Sequence, residues 1–526
     1  MQSSAIARRT LRRLTFALAA MAVPGVLFAA AASDSPPKPL NFLLITADDM
    51  NYSSPGVFGC AVPDITPNID RLASEGLRFV NGHVAIAVCQ PSREALMTGR
   101  YPHRNGGEGF QPINLDVPTL QEQLHAAGYL NGIMGKNSHL APREKFCWDF
   151  YIEPGQLGQG RNPQAYYNFS KEYFEKAKAE GKPFFLMANS QDPHRPFAGS
   201  DQEMQKWKKH VPFDRQILPA EAQIPGFLPD IPDVRREVAE YFTSVHRCDE
   251  TVGAVLRALE ETGFQDNTLV MFLSDNGMSF PFAKTNCYLT STKTPWIVRW
   301  PGKAKPATVN TEDFISGIDY MPTILEAAGL AQVPGMDGAS FVPLLLGRPQ
   351  EGRDRLFTEF HETSGRLRFP MRCLQTRKYG YLVNFWSDAK RVFKNESQSG
   401  LSFKAMQEAA KTSPPITERV QMFQFRVPEE FYDFEKDPDA LLNLIADPQC
   451  QGEIQKFRQT MLDWMTRTGD PALEAYTGRQ SPEAWQRFMA DQQAKADVRK
   501  KKKAGGAAKG KGGQAPRAGA KKEMDD

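Results

Sequence analysis

Apolar residues in this chain cluster in short unbroken runs that stop at acidic or amide residues. Asn41 to Ala47 reads Asn-Phe-Leu-Leu-Ile-Thr-Ala and ends abruptly at Asp48-Asp49. Phe184 to Ala188 ends near Asp192, and Thr268 to Leu273 ends in Ser274-Asp275-Asn276-Gly277. Short runs without polar alternation predict strands covered on both faces. Between them the apolar spacing becomes helical: Ile69 to Leu77 after the Thr66-Pro67 start signal, Leu120 to Ala127 ending at Gly128, and Val234 to Thr262 ending at Gly263. Strands alternating with helices predict an α/β domain on a largely parallel sheet. Ligands bind beyond the carboxyl ends of such strands, where these polar residues fall.

After about Leu346 the texture changes. Leu374 to Phe385, including Tyr379 to Val383, is strand-like, a polar loop-rich segment runs on to Pro415, and Gln451 to Thr466 is helical. The pattern predicts a larger domain over 37–350 and a smaller α+β domain over 351–485, its sheet mainly antiparallel. No internal repeat is evident.

Composition narrows the class. The 526 residues are 41% hydrophobic and 24% charged, which fits a globular protein and excludes overall disorder. The net charge of +3 is unevenly spread: residues 1–32 hold four Arg and no acid, and residues 495–526 hold eleven Lys/Arg against four Asp/Glu. The 49 basic and 57 acidic side chains between these ends make the body mildly acidic, against a nucleic-acid partner. Arg8, Arg9, Arg12 and Arg13, the apolar run Leu14 to Ala30 and the small residues Ala29 to Ala32 predict a signal peptide over 1–33. The mature chain is therefore expected to be exported, periplasmic or secreted, with no membrane-spanning segment. Residues 495–526, with Lys500 to Lys503 in a low-complexity run, predict a disordered basic tail. The seven cysteines are Cys60, Cys89, Cys147, Cys248, Cys287, Cys373 and Cys450; an odd number leaves at least one unpaired, and no Cys-x-x-Cys pair suggests zinc.

Three clusters carry candidate chemistry. Asp48, Asp49, Asp275 and Asn276 are four hard oxygen donors at the ends of two predicted strands. Bringing three carboxylates together makes sense around a divalent cation, and oxygen-only ligation suits Ca²⁺ or Mg²⁺ over zinc. Taken singly, Asp-Asp also serves as a helix cap and Asp-Asn-Gly as a turn. The second cluster is Cys89-Gln90-Pro91-Ser92-Arg93, continuing to Leu96-Met97-Thr98-Gly99. Pro91 and Ser92 suit the first turn of a helix whose amides would favour an anion beside Cys89. The third supplies positive charge: Gly135-Lys136 with His139, Asp192-Pro193-His194-Arg195, and Lys284.

Cys-x-Pro-Ser-Arg with Leu-Met-Thr-Gly downstream resembles the signature of the sulfatase family, and the other clusters follow in the family's order. The resemblance spans nearly the whole mature chain. Gly160-Arg161-Asn162, Asp192 to Arg195, Ser274 to Pro281 through Lys284-Thr285-Asn286 to Tyr288, and Phe369-Pro370-Met371-Arg372 are most similar to the branch acting on N-sulfated glucosamine. The resemblance implies an alkaline-phosphatase-like fold and hydrolysis of a sulfated sugar or glycosaminoglycan fragment. It implies that Cys89 is converted to 3-oxoalanine (formylglycine) by a sulfatase-modifying enzyme and joins Asp48, Asp49, Asp275 and Asn276 around one Ca²⁺, with Mg²⁺ the lesser choice. Arg93, Lys136 and His139 would orient the nucleophile; Lys136, His194 and Lys284 would balance sulfuryl charge, and His194 would protonate the leaving group. His361, Glu362 and Arg372 are expected to reach the sugar from the smaller domain, with a salt-bridged domain interface as the alternative. An O-sulfated sugar is the alternative substrate. A phosphoesterase of the same superfold, which usually uses Ser or Thr, and a non-catalytic glycan-binding protein are the readings from other classes.

Overall fold

The computed structural model describes residues 39–509, with side chains described as far as 499. The predicted signal peptide and residues 510–526 of the predicted tail lie outside the described residues.

The strands are β1 Asn41–Asp48, β2 Leu77–His83, β3 Leu130–Met134, β4 Phe150–Ile152, β5 Phe184–Pro193, β6 Thr268–Ser274, β7 Trp296–Arg299 and β8 Thr308–Ser316 in one sheet, and β9 Arg355–Glu362, β10 Arg368–Thr376, β11 Tyr379–Asn384 and β12 Glu429–Asp433 in another. The large sheet has the order β4-β3-β5-β1-β6-β7-β2-β8. Only β7 runs against its neighbours β6 and β2; the other pairings are parallel. β1 lies between β5 and β6, and its side chains divide by the period of two that a strand imposes. Phe42 and Leu44 join the core on one face, and Leu43, Ile45 and Ala47 join the core on the other. The second of these cores takes in the long helices Pro163–Glu180 and Pro232–Glu261 through Tyr173, Phe174, Val238, Tyr241 and Val245.

The smaller sheet is antiparallel in the order β12-β11-β10-β9. Helix Gln451–Thr468 covers one of its faces, with Trp464 stacked on Phe357 at a centroid distance of 4.8 Å. Its other face, through Phe360, Met371 and Cys373, joins the same core as Leu43 and Ile45. The boundary expected at residue 350 therefore separates two sheets and leaves the core continuous.

Three expectations change. The helix expected over Ile69 to Leu77 is Pro67–Ser74, and Leu77 opens β2. The segment expected to be loop-rich up to Pro415 contains helix Leu401–Ala409, and helix Pro414–Phe425 begins at its end. The segment expected to be disordered from Lys495 is helical as far as Lys509, within helix Pro482–Lys509, with Ala496 buried and Arg499 paired with Glu362. Specific contacts offset the ordering entropy that composition alone could not. The seven cysteines are all free thiols. No helix among the described residues is long and apolar enough to cross a membrane.

Candidate active site

The pairing of Ala47 with Ser274 places the next residues, Asp48 and Asp275, side by side at the carboxyl edge of the sheet. The chain then turns sharply. Asp49 adopts a left-handed conformation (φ 68°), its N–H donates to Asp275 Oδ1 at 3.1 Å, and the Met50 N–H donates to Ser274 Oγ at 2.8 Å. Gly277 permits the opposing turn, since a Cβ there would lie 2.0 Å from the Thr290 carbonyl oxygen.

Cys89 opens helix Cys89–Thr98, whose every residue is buried and whose end is closed by Gly99 at φ 63°. Arg93, one turn on, donates from Nη2 to Asp275 Oδ2 at 2.6 Å and from Nη1 to Thr46 Oγ1 at 2.7 Å and Asn189 Oδ1 at 2.5 Å. This guanidinium ties the helix to β1, β5 and the end of β6. Lys136, left-handed at φ 49° after β3, pairs with Asp48. Lys284 Nζ lies 2.8 Å from Asp49 Oδ2 and 2.7 Å from Glu396 Oε2. His194 donates from Nδ1 to the Arg195 carbonyl at 2.6 Å, which turns Nε2 toward Asp49 Oδ2 at 3.8 Å and Glu396 Oε1 at 3.5 Å. Asp192 is held behind it by Arg247 and by Arg161, which also donates to the His194 carbonyl at 2.9 Å.

These groups surround a narrow crevice of about 10 Å³, room for about one water molecule, lined by Cys89, Lys136, His139, His194, Lys284 and Glu396. Val88, Phe110, Thr285, Thr363 and Ser364 complete its wall.

The electrostatics fit a candidate cation site. One carboxylate oxygen from each of Asp48, Asp49 and Asp275 lies within 4.8 Å of the others. Burial, and then neighbouring carboxylates, push Asp49 up to about 8 and Asp275 up to about 7, against the pull of Lys284 and Arg93 respectively. Asp48 is also buried, but Lys136 and then His194 hold it well below the carboxylate range. Asn276 Oδ1 is buried with no hydrogen-bond donor, while its Nδ2 donates to Asp49 Oδ1 at 2.6 Å. Three crowded carboxylates and an unsatisfied amide oxygen fit a hard divalent cation. Burial, and then Asp48, hold the Cys89 thiol protonated, so an unmodified cysteine here would be a weak nucleophile. Burial lowers His139 well below the usual histidine value, with Lys136 and Arg93 adding to the effect. Burial also takes His194 down to about 4, partly opposed by Glu396.

Sequence reasoning therefore anticipated a group of residues that the fold brings together: Asp48, Asp49, Cys89, Arg93, Lys136, His139, His194, Asp275, Asn276 and Lys284. It did not anticipate Glu396, which follows Asn395 in a polar segment without periodicity. The three residues expected to touch the sugar lie elsewhere. Arg372 is spent on Asp470, at 2.5 and 2.9 Å; His361 pairs with Glu359 at 3.1 Å; Glu362 pairs with Arg368 and Arg499. They form a buried ionic network behind the cavity wall, and the adjacent Thr363 and Ser364 face the cavity instead.

Comparison with known proteins agrees with this geometry. Residues 40–330 match the family model described as Sulfatase, and residues 278–396 match the model for the C-terminal region of N-sulphoglucosamine sulphohydrolase. The chain is 28% identical to human N-sulphoglucosamine sulphohydrolase over 474 residues, covering 84% of this chain and 93% of that protein. It is 28% identical to an ulvan-active sulfatase of Formosa agariphila over 448 residues, covering 83% and 82%. A protein solved in complex with its substrate D-glucosamine-2-N,6-O-disulfate shares the fold, with a TM-score of 0.62 at 18% identity over 82% of this chain and 99% of that one.

Proposed function

The chain belongs to the sulfatase family of hydrolases, and from that premise we propose that it cleaves the sulfamate of N-sulfated glucosamine in heparan-type glycans after export. The observation that carries the reading is Cys89 at the base of one cavity with Lys136, His194 and Lys284, beside the cluster of Asp48, Asp49, Asp275 and Asn276. The length of the match to a protein named for N-sulphoglucosamine supports the choice of substrate. The disulfated ligand of the structural neighbour carries an O-sulfate as well, which makes O-sulfated sugars the second reading.

Asp48, Asp49, Asp275 and Asn276 would hold a calcium ion, which supplies positive charge to a sulfate oxygen. Position 89, as the hydrate of 3-oxoalanine, would supply an oxygen nucleophile for sulfur that a thiol cannot. Arg93 fixes the start of the helix against the sheet and so aims residue 89. Lys136 and Lys284 bring positive charge to the cavity, where exclusion of water strengthens each interaction with an anionic sulfuryl group. The hydrogen bond from Nδ1 to the Arg195 carbonyl fixes the tautomer of His194 and leaves Nε2 to carry the proton for the departing atom. A bound sulfuryl anion favours the protonated imidazole, offsetting the burial that otherwise discharges it.

The test is product analysis on defined N-sulfated and O-sulfated glucosamines, using protein whose residue 89 is shown by mass spectrometry to be the aldehyde or its hydrate. Sulfate release from the N-sulfated sugar is expected. Release from the O-sulfated sugars alone would replace the substrate and keep the family.

A further inference from the structure

Glu396 sits awkwardly in a pocket meant for an anion. Its carboxylate borders the cavity with Cys89, and its side chain is only 10% exposed. Lys284 balances one of its oxygens, Oε2, at 2.7 Å, which leaves Oε1, the oxygen beside His194, as the one that a part of the substrate can answer. Glu396 is also firmly placed: Asn395 Nδ2 donates to Thr285 Oγ1 at 2.7 Å, and Ser397 Oγ donates to Asn395 Oδ1 at 2.8 Å, fastening the turn Glu396–Ser399 to the Lys284-Thr285 segment.

Position relative to His194 identifies the answering group. Nδ1 of His194 is committed to a carbonyl, so Nε2 faces the leaving atom, and Glu396 Oε1 lies 3.5 Å from that nitrogen. A carboxylate beside the proton donor is beside the atom that receives the proton. In a sulfamate this atom is a nitrogen bearing a hydrogen; in a sulfate ester it is an oxygen with lone pairs only.

We infer that Glu396 is the specificity-determining residue for the leaving atom, accepting the sulfamate N–H and then pairing with the ammonium product. The inference rests on the sulfamate reading above. As the S–N bond breaks, sulfur bonds to the incoming oxygen, the S–N electron pair stays on nitrogen, and nitrogen takes the Nε2 proton of His194. The resulting amine gains a further proton from water and leaves as a cation that Glu396 attracts. An ester gives the carboxylate nothing to accept and adds lone-pair repulsion. Sites built to bind a substrate N–H reject analogues lacking it far more strongly than apolar pockets reject a missing methylene.

The experiment compares wild type with Glu396→Gln and Glu396→Asp in full-length protein modified at residue 89. Glu396→Gln should lower kcat/KM on N-sulfoglucosamine about 10- to 100-fold, the range for a hydrogen bond to a charged group, and on glucosamine 6-sulfate by a smaller factor, so that the ratio of the two falls about tenfold or more. Glu396→Asp, which keeps a charge for Lys284, should fall between. A second readout needs no turnover: titration of the Cys89→Ser protein with glucosamine and with glucose, where Glu396→Gln should weaken glucosamine about tenfold and leave glucose unchanged. Parallel losses on the N- and O-sulfated sugars, or equal weakening of glucosamine and glucose, would mean that Glu396 only steadies His194 and Lys284, and the inference would fall alone. A wild-type enzyme inert toward N-sulfoglucosamine would remove the sulfamate reading and this inference with it.

Discussion

Arg247 never touches the cavity, yet its removal should be felt there. It is fully buried on helix Pro232–Glu261 and grips Asp192 with two hydrogen bonds, Nε to Oδ2 at 2.7 Å and Nη2 to Oδ1 at 3.0 Å. Nη1 also donates to Glu203 Oε1 at 3.1 Å and to the Val211 carbonyl at 3.0 Å. Arg247→Met keeps most of the side-chain volume and deletes the charge. Asp192 then keeps Arg161, 3.2 Å away, and Glu203 keeps the Gly199 N–H at 3.0 Å and His210 at 2.8 Å. Each lost hydrogen bond to a buried charge is worth about 1.5–3 kcal/mol, and removing one partner of a buried pair costs about 3–5 kcal/mol in total. The measurement is the midpoint of urea unfolding followed by tryptophan fluorescence, with Asp192→Asn and the double variant completing a cycle. The double variant should be more stable than the sum of the single losses predicts, by about 1–3 kcal/mol. Because Asp192 stands two residues before His194, kcat/KM should also fall, by up to about 100-fold for a shift near 1 Å. A loss under about 1 kcal/mol, or single losses that simply add, would refute the view that this pair organises the site.

Chelation should lower the melting temperature, and calcium at about 100 times its Kd should restore about 2.7 kcal/mol; in Asp275→Asn most of that calcium-dependent increment should vanish in the same thermal scan. Glu108 is largely covered, its side chain 15% exposed, which pushes its carboxyl up, but His361 and Arg368 pull it down to about 2. A folded value below the unfolded one gives stability that is full above about 4.5 and lost as the pH falls toward 2, so Glu108→Gln should flatten the acid limb of a stability-versus-pH curve by up to about 3 kcal/mol. Trp464→Ala removes the stack on Phe357 and the edge contact with Tyr101 at 5.1 Å; it should cost about 3–5 kcal/mol by denaturation while leaving KM unchanged.

The strands most plainly written in the sequence are those that hold the site. β1, β5 and β6 are central and covered on both faces, so they read as apolar runs, and their acidic ends announce the carboxyl edge. β2 was hidden because Leu77 continues the helical spacing from Ile69 as well as it starts a strand. β3 is broken by Asn131 and Gly132, and the first half of β8 is largely exposed, so neither carries an apolar run. In the site, residues tied to a motif of fixed spacing were legible. Glu396 was not, since it reaches the cavity from a turn more than a hundred residues beyond Lys284, and only the fold brings the two together. For His361, Glu362 and Arg372 the sequence left sugar contact and a salt-bridged interface both open, and only the fold shows them paired with Glu359, Asp470, Arg368 and Arg499 inside the protein.

Cys89 keeps only 2% of its surface accessible, at the foot of a narrow cavity and in a helix that is buried along its whole length. Another enzyme's catalytic machinery cannot be threaded down to it. Any covalent maturation of that side chain must therefore come early, on nascent or still-extended polypeptide. If residue 89 is converted as proposed above, a molecule that closes up unconverted stays so until it unfolds, and the active fraction of a preparation records events during its synthesis.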